Sequence, residues 1–213
     1  RELESILDIN EQYPLAYYKL GYHYKFSGNF IKAKLIWNKY LTLDKDELRL
    51  QEVREELASI EDDVEIERGL IHLEKDEFQE AIDIFEKLAK KYDNFWELKY
   101  FLGASYKGMG DFENAIELFY EALDLNMNNL DVYNELGICL VSLGKTDEAI
   151  DIFTVAIENL GNDYRILYNR GLCYLQMREY NKAYDDISMA ASLNVNDINI
   201  RVQKERLEKL LNK

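Results

Sequence analysis

Proline occurs once in the 213 residues, cysteine twice and histidine twice, and no stretch approaches the roughly 18 consecutive apolar residues of a membrane helix. Each scarcity excludes something. A chain with one proline and ten glycines, rich in Glu, Lys, Leu, Ile and Ala, is predicted to be helical. His23 and His72 have no Cys or carboxylate at metal-ligand spacing, so no metal site is expected, and both fall where core or half-buried packing is predicted. Basic residues are also in short supply, 26 against 41 acidic, and the net charge of −15 would repel phosphate backbones and anionic lipid. Nucleic acid and membrane insertion are therefore not expected. The opening RELESILDIN lacks the apolar run of a signal peptide, and the sequence reads as that of a soluble chain.

Catalytic signatures are missing as well: there is no GxSxG, no HExxH and no glycine loop that could cradle phosphate. Carboxylates abound, but an acid–base pair needs environments that split their pKa values, and exposed helix faces do not provide them. No catalytic residue, no cofactor and no enzyme activity are predicted.

What is present is a period. GMGDFENAIELF at 108–119 returns as SLGKTDEAIDIF at 142–153 and QMREYNKAYDDI at 176–187, each time 34 residues on. Units of 34 run over 14–47, 62–95, 96–129, 130–163 and 164–197. Position 8 of each is Gly21, Gly69, Gly103, Gly137 and Gly171, and position 20 is Ala33, Ala81, Ala115, Ala149 and Ala183. A helical glycine costs about 1 kcal/mol relative to alanine, so small size must be useful at these places. If positions 1–14 form a helix A and 18–31 a helix B, positions 8 and 20 lie where the two cross, and bulk there would drive the axes apart. Large residues surround them: Trp37, Phe85, Phe119, Phe153 and Ile187 at position 24, and Phe30, Phe78, Phe112, Thr146 and Tyr180 at 17. Position 11 (Tyr24, His72, Tyr106, Leu140, Tyr174) is expected to pack on the next unit. The aromatics are expected to be the mortar between helix pairs. Cys139 and Cys173 are also 34 apart. Equivalent places in stacked units should lie about 10 Å apart, beyond disulfide reach, so both are predicted to be buried, unbridged and in a reducing, cytoplasmic setting.

These residues resemble the tetratricopeptide repeat (TPR) family, a 34-residue helix-turn-helix whose signature has W-x2-L-G-x2-Y followed by small and aromatic residues at 20, 24 and 27. The resemblance covers 14–47 and 62–197. It departs at position 4, where Tyr17, Glu65, Lys99, Tyr133 and Leu167 stand in place of Trp, and at position 32, where no proline occurs. The resemblance implies an all-α, right-handed α-solenoid of stacked helix-turn-helix TPR units. Residues 1–13 continue the phase backward, Leu3, Ile6 and Ile9 matching positions 24, 27 and 30, as helix B of a truncated preceding repeat; the sequence is thus expected to be a piece of a longer protein. Residues 48–61 are a helical insertion or extension, with Leu50, Val53, Leu57 and Ile60 on one face; either helix A of the next unit starts near Asp46 and runs to Lys75, or an extra helix intervenes. The stretch 44–67, with eleven acidic residues against three basic ones, is either a solvated face or a docking site for a basic partner. Residues 198–213 are expected to form a C-terminal capping helix that presents Ile198, Val202, Leu207 and Leu211 to the last unit and ends the array.

Stacked pairs curve so that helices A line a groove, and the resemblance implies that positions 2, 5, 9, 12 and 13 face a ligand. Position 5 carries Tyr18, Ile66, Tyr100, Asn134 and Tyr168; position 9 carries Tyr22, Leu70, Ala104, Ile138 and Leu172. Position 2 supplies Asp63, Glu97, Asp131 and Arg165, and Lys25 and Lys107 hold position 12. Of the carboxylate clamp some family members use, only Arg165 and Asn169 have counterparts, both in one unit. Candidate ligand-binding residues are therefore Tyr100, Ala104, Asn134, Ile138, Arg165, Tyr168, Asn169 and Leu172. Asn134, between two tyrosines, could pair with a peptide's N–H and C=O, or simply face solvent. The tyrosines could stack on a ligand or pack between repeats. The expected function is a non-catalytic protein–protein scaffold that takes a peptide or helix with apolar anchors and some basic residues. Self-association into a dimer or filament, and a regulatory or targeting appendage of a larger enzyme, are the alternatives.

Overall fold

A computed structural model, which describes residues 5–7 and 10–211, contains helix and no strand among those residues. The helices are α1 (Pro14–Phe26), α2 (Phe30–Leu43), α3 (Glu47–Ser59), α4 (Glu61–Glu74), α5 (Phe78–Lys91), α6 (Trp96–Met109), α7 (Phe112–Leu125), α8 (Leu130–Ser142), α9 (Thr146–Leu160), α10 (Tyr164–Gln176), α11 (Tyr180–Leu193) and α12 (Ile198–Leu211). Residues 5–7 are helical too, whereas Leu3 and Ile9 lie outside the described residues. The all-α architecture of helix pairs is the one the 34-residue period predicts. Two compact bodies divide the chain, Arg1–Leu88 and Ala89–Lys213.

Within each pair the small residues have a specific neighbour. A Cβ built on Gly137 would lie 2.2 Å from the Phe153 ring, one on Gly103 2.8 Å from Phe119, and one on Gly21 2.0 Å from Trp37. Position 24 thus inserts its side chain into the notch that position 8 leaves in the same pair, and all five position-24 residues are fully buried. The rings are the filling inside each pair, where the sequence reading had put them between pairs. The position-20 alanines, one turn earlier on the same face of helix B, are equally buried.

The turn from helix A to helix B also has a geometric rule. Position 15 has positive φ in every unit: Gly28 (74°), Asp76 (59°), Gly110 (81°), Gly144 (74°) and Arg178 (64°). Glycine adopts this left-handed conformation freely, and for Asp and Arg it is strained by about 1–2 kcal/mol. Side-chain oxygens of Asn29, Asp46, Asp111, Asn129 and Asp163 then cap their helices by accepting from backbone N–H groups of the first turn.

In the first body, residues 46–75 are two helices. Asp46 caps α3 and Lys75 ends α4, and only Ile60 between them leaves helical geometry, at φ −104° and ψ 7°. Its N–H still donates to the Glu56 carbonyl and its carbonyl still accepts from Val64 N–H. Ile60 is buried with Leu50, Val53 and Val64 against Tyr17, Ala33, Trp37 and Tyr40. The continuous apolar stripe holds both helices on one core, and the break lets the second take its own angle. Most carboxylates of 44–67 are used internally: Glu56 pairs with Lys25, Glu61 with Lys34 (2.8 Å) and Glu65 with Arg68 (2.6 Å). Glu67 accepts from the Ile31 N–H (2.8 Å) and Asp44 from the Tyr40 hydroxyl (2.6 Å). Of the histidines, His23 is exposed, contrary to the packing place expected for it. His72 is half-buried, with Nδ1 2.6 Å from Glu77 Oε2.

In the second body, Cys139 and Cys173 are buried and free. Burial pushes their thiols up to about 12 and about 11, which keeps them protonated and unreactive. Helix α12 covers the last pair, but not with the face the sequence suggested. Ile200 and Leu207 are buried, while Ile198, Val202 and Leu211 are exposed. The choice of face follows the α11 surface it meets, where Ala183, Ile187 and Ala190 form a shared core with Ile200 and Leu207.

Candidate functional site

Helix α1, the first helix A of the first body, cannot offer its ligand-facing positions freely. Tyr18 at position 5 and Tyr22 at position 9 both donate their hydroxyls to Glu52 Oε1 on α3, at 2.9 and 2.6 Å. Lys25 at position 12 pairs with Glu56 of the same helix. The 34-residue offset between Tyr18 and Glu52 places α3 where the next helix A of a stack would stand. The Tyr22 ring also sits edge-on to Trp37, with centroids 5.0 Å apart.

These bonds leave a titration signature. The Tyr22 and Tyr18 hydroxyls hold the Glu52 carboxyl below the ordinary carboxylate range. Burial, then the Glu52 bond, raises both tyrosines above their usual value. A lowered carboxyl contributes stability that is full above about pH 4.3 and lost as pH falls through the folded value. A raised tyrosine contributes stability that is full below about pH 10 and lost as pH rises through its folded value. Tyr22→Phe is expected to move the Glu52 carboxyl upward in an NMR titration, toward the ordinary range. An unmoved Glu52 would show that the hydroxyls do not govern it.

The second body is more open. Between α8 and α10 lies a pocket of about 160 Å³ lined by Ile138, Val141, Ser142, Phe153, Asn169, Leu172, Cys173 and Gln176. Its walls are aliphatic and aromatic, with Ser142, Asn169 and Gln176 supplying the polar groups. Beside it, a second pocket of about 290 Å³ is lined by Asn134, Tyr164, Arg165, Tyr168, Asn169, Asp197 and Ile200. Asn169 belongs to both. The structure thus brings together Asn134, Ile138, Arg165, Tyr168, Asn169 and Leu172, and leaves Tyr100 and Ala104 on α6 outside both pockets. Tyr100 packs against Trp96 and Phe119, with centroids at 6.4 and 5.9 Å. Burial, with Glu135 and Asp131 nearby, pushes its hydroxyl up to about 12.

Asn134 is neither solvent-facing nor free. It is buried, its Oδ1 accepts from Asn169 Nδ2 at 2.8 Å, and its own Nδ2 donates to Glu135 Oε1 at 3.3 Å. Arg165 is engaged too: Nη1 donates to Asp131 Oδ1 (2.6 Å), Nε to Asp163 Oδ1 (3.2 Å) and Nη2 to Asp163 Oδ2 (3.3 Å). The Asp163 and Asp131 hydrogen bonds raise its pKa, so it stays charged. The family's carboxylate clamp therefore has no free cation at this place. Sequence reasoning missed Val141, Ser142, Cys173 and Gln176. The first, second and fourth stand at positions 12 and 13, which the same carry-over would have reached. Asp197 is the last residue of the final unit and Ile200 belongs to the helix after it, where no period guides the eye. Among the described residues no three His, Cys, Asp or Glu side chains gather to hold a metal, and no helix is long and apolar enough to cross a membrane.

Known proteins can be set beside this geometry. Tetratricopeptide-repeat models match residues 106–163 and 66–94. No curated protein matches the chain by sequence. Among solved structures, YrrB, described as a TPR protein with an unusual peptide-binding site, superposes with a TM-score of 0.63 at 20% identity, over 96% of this chain and 98% of that one. MamA (41-end) from Desulfovibrio magneticus RS-1 gives 0.63 at 18% identity, over 71% of this chain and 85% of that one. TTC0263, a thermophilic TPR protein in Thermus thermophilus, gives 0.56 at 16% identity, over 92% and 98%. At such identities the likeness is one of fold.

Proposed function

Because the chain is built from tetratricopeptide repeats, we propose that it is a non-catalytic interaction module whose second body holds a peptide segment of a partner protein against the α8–α10 face. The observation that carries this reading is the 160 Å³ pocket between two A helices. It is apolar in its walls, polar at Ser142, Asn169 and Gln176, and sized for one large side chain: a cavity of about 150 Å³ accommodates benzene. Pockets of this make-up, with few convergent polar groups, are where ligands are usually held. YrrB's description as a TPR protein with a peptide-binding site supports the same use of the fold here. The free thiols of Cys139 and Cys173 suit a reducing, cytoplasmic setting.

The test uses a displayed library of random dodecapeptides selected on the whole chain. Binders are expected to lose at least about ten-fold in affinity on Leu172→Glu, which puts a charge into the pocket, and about three- to ten-fold on Tyr168→Ala. Tyr100→Ala, outside both pockets, should cost less than Tyr168→Ala. Far-UV circular dichroism checks that each variant remains folded. Binders indifferent to Leu172→Glu would remove this face from the account.

A further inference from the structure

The two pockets differ in kind and lie in line along α10. Gln176, Cys173, Leu172 and Asn169 serve the apolar one, and Asn169, Tyr168, Arg165 and Tyr164 the polar one. The polar end is bordered by Asp131, Asp163 and Asp197, with Arg165 tied between the first two. Arg206 on α12 is the other charge near Tyr168, and Glu135, paired with Lys107, lies against Asn134. Asp131, Asp163, Asp197 and Glu135 against Arg165, Arg206 and Lys107 leave the edge net negative. Two carboxylate oxygens there have no donor among the described residues: Asp131 accepts through Oδ1 alone, and Asp197 uses Oδ1 for the backbone N–H groups of Asn199 and Ile200. Both Oδ2 atoms can take an ammonium or guanidinium hydrogen.

Between the two ends stands the Asn134–Asn169 amide pair. Asn169 donates through Nδ2 to Asn134, so its Oδ1 remains an acceptor for a ligand's backbone N–H. An extended segment has such N–H groups along its length, whereas a helical one spends them internally. Leu172 and Arg165 are seven residues apart on α10, which is about 10 Å along the axis. Three residues of a polyproline-II-like extended chain cover nearly the same distance, about 9 Å at roughly 3.1 Å each, and bring the side chain back to the same face, where a β-strand would turn it away.

Resting on the peptide-binding reading above, we propose that the bound segment is extended in the polyproline-II manner and carries a large aliphatic residue three positions from a Lys or Arg. The aliphatic side chain fills the Ile138/Leu172/Cys173 pocket, the cation meets Asp131 and Asp197, and Asn169 accepts a backbone N–H between them.

The dodecapeptide library decides this separately from the broader reading. Binders that depend on Leu172 should share a Leu, Ile or Met and a Lys or Arg at a spacing of three. A synthetic peptide with the enriched sequence, capped at both ends, should bind Asp131→Asn about two- to five-fold more weakly, and Arg165→Gln about two- to five-fold more tightly, the scale of single exposed charges. Its Lys/Arg→Gln version should lose the sensitivity to both. A merely structural role for the two residues would weaken binding in both variants, so the opposite signs are the diagnostic. Leu172-dependent binders with no basic residue at that spacing, with a helical spacing of seven, or unmoved by the two charge variants would overturn this inference and leave peptide capture standing. A library without any Leu172-dependent binder would overturn both.

Discussion

Gly137→Ala is expected to destabilise the native chain and to stabilise a chain that already carries Phe153→Ala. Phe153→Ala alone should cost about 3–5 kcal/mol, the usual loss when a fully buried phenylalanine leaves a cavity. In the native pair the alanine methyl would lie 2.2 Å from Cε1 and Cζ of the Phe153 ring. That ring is fully buried and has no free end to swing away. Overpacking of this kind costs about 1–3 kcal/mol, of which alanine's better helix propensity returns about 1 kcal/mol. With Phe153 already truncated the clash is gone, the methyl enters vacated space, and only the propensity gain and some refilling remain. The sign of one substitution should therefore reverse with the background, which urea unfolding followed by circular dichroism measures directly. The other pairs grade the effect. Gly21→Ala, at 2.0 Å from the Trp37 indole, should be the worst, and Gly103→Ala, at 2.8 Å from the Phe119 ring, the mildest of the three. If Gly137→Ala destabilises both backgrounds equally, the notch does not exist to seat the ring.

The same pairing explains how much could be read from the sequence. Glycine at 8 and alanine at 20 repeat without exception, and a period kept by residues whose only asset is smallness points to close helix contact. That the ring at 24 belongs to the same pair as the glycine at 8 needs coordinates, because a one-dimensional period does not distinguish a neighbour within the pair from one in the next. The left-handed residue at position 15 escaped notice because Asp76 and Arg178 interrupt the run of Gly28, Gly110 and Gly144; the backbone keeps the conformation where the residue type does not advertise it. Asp46 and Lys75 mark the outer ends of the 46–75 segment in sequence as in structure. The break at Ile60 is invisible there, since an isoleucine in register with Leu50, Val53 and Val64 looks like helix interior. At the candidate site, positions 5 and 9 led to Asn134, Ile138, Tyr168 and Leu172. The hydrogen bond from the Asn169 amide to that of Asn134 joins residues 35 apart on adjacent A helices, and only packing decides that such a pair meets. For the same reason the exposed and buried faces of α12 could not be told apart: Ile198 and Ile200 are equally apolar, and the surface beneath selects one of them.

The last pair departs from the others at one spot, and the departure sets up the second large effect. Position 7 is Leu20, Leu102 and Leu136 in three units, and position 23 is Ile36, Ile84, Leu118 and Ile152 in four. In the last unit these places hold Arg170 and Asp186. The guanidinium donates twice to the carboxylate, Nε to Oδ2 at 2.7 Å and Nη2 to Oδ1 at 2.8 Å, and Nη1 reaches Thr154 Oγ1 on α9 at 3.0 Å. Asp186 is 7% exposed, so truncating Arg170 to alanine strands a buried carboxylate, and truncating Asp186 strands most of a guanidinium. Either single change should cost about 3–5 kcal/mol. Arg170→Lys should recover little, because an ammonium cannot reproduce the two-pronged geometry. Replacing both, Arg170→Leu with Asp186→Ile, restores the residues that most other units use. It should return stability to the native level or exceed it by about 1–4 kcal/mol, as apolar replacements of buried ion pairs often do. What the ion pair supplies beyond stability is a tie from α10 and α11 to Thr154 in the preceding unit, beside the Asn169 and Leu172 pocket. If that tie sets the spacing of α8 and α10, the double replacement will keep the fold and weaken capture of a Leu172-dependent peptide. Undiminished binding in a stable double variant would confine Arg170 and Asp186 to packing.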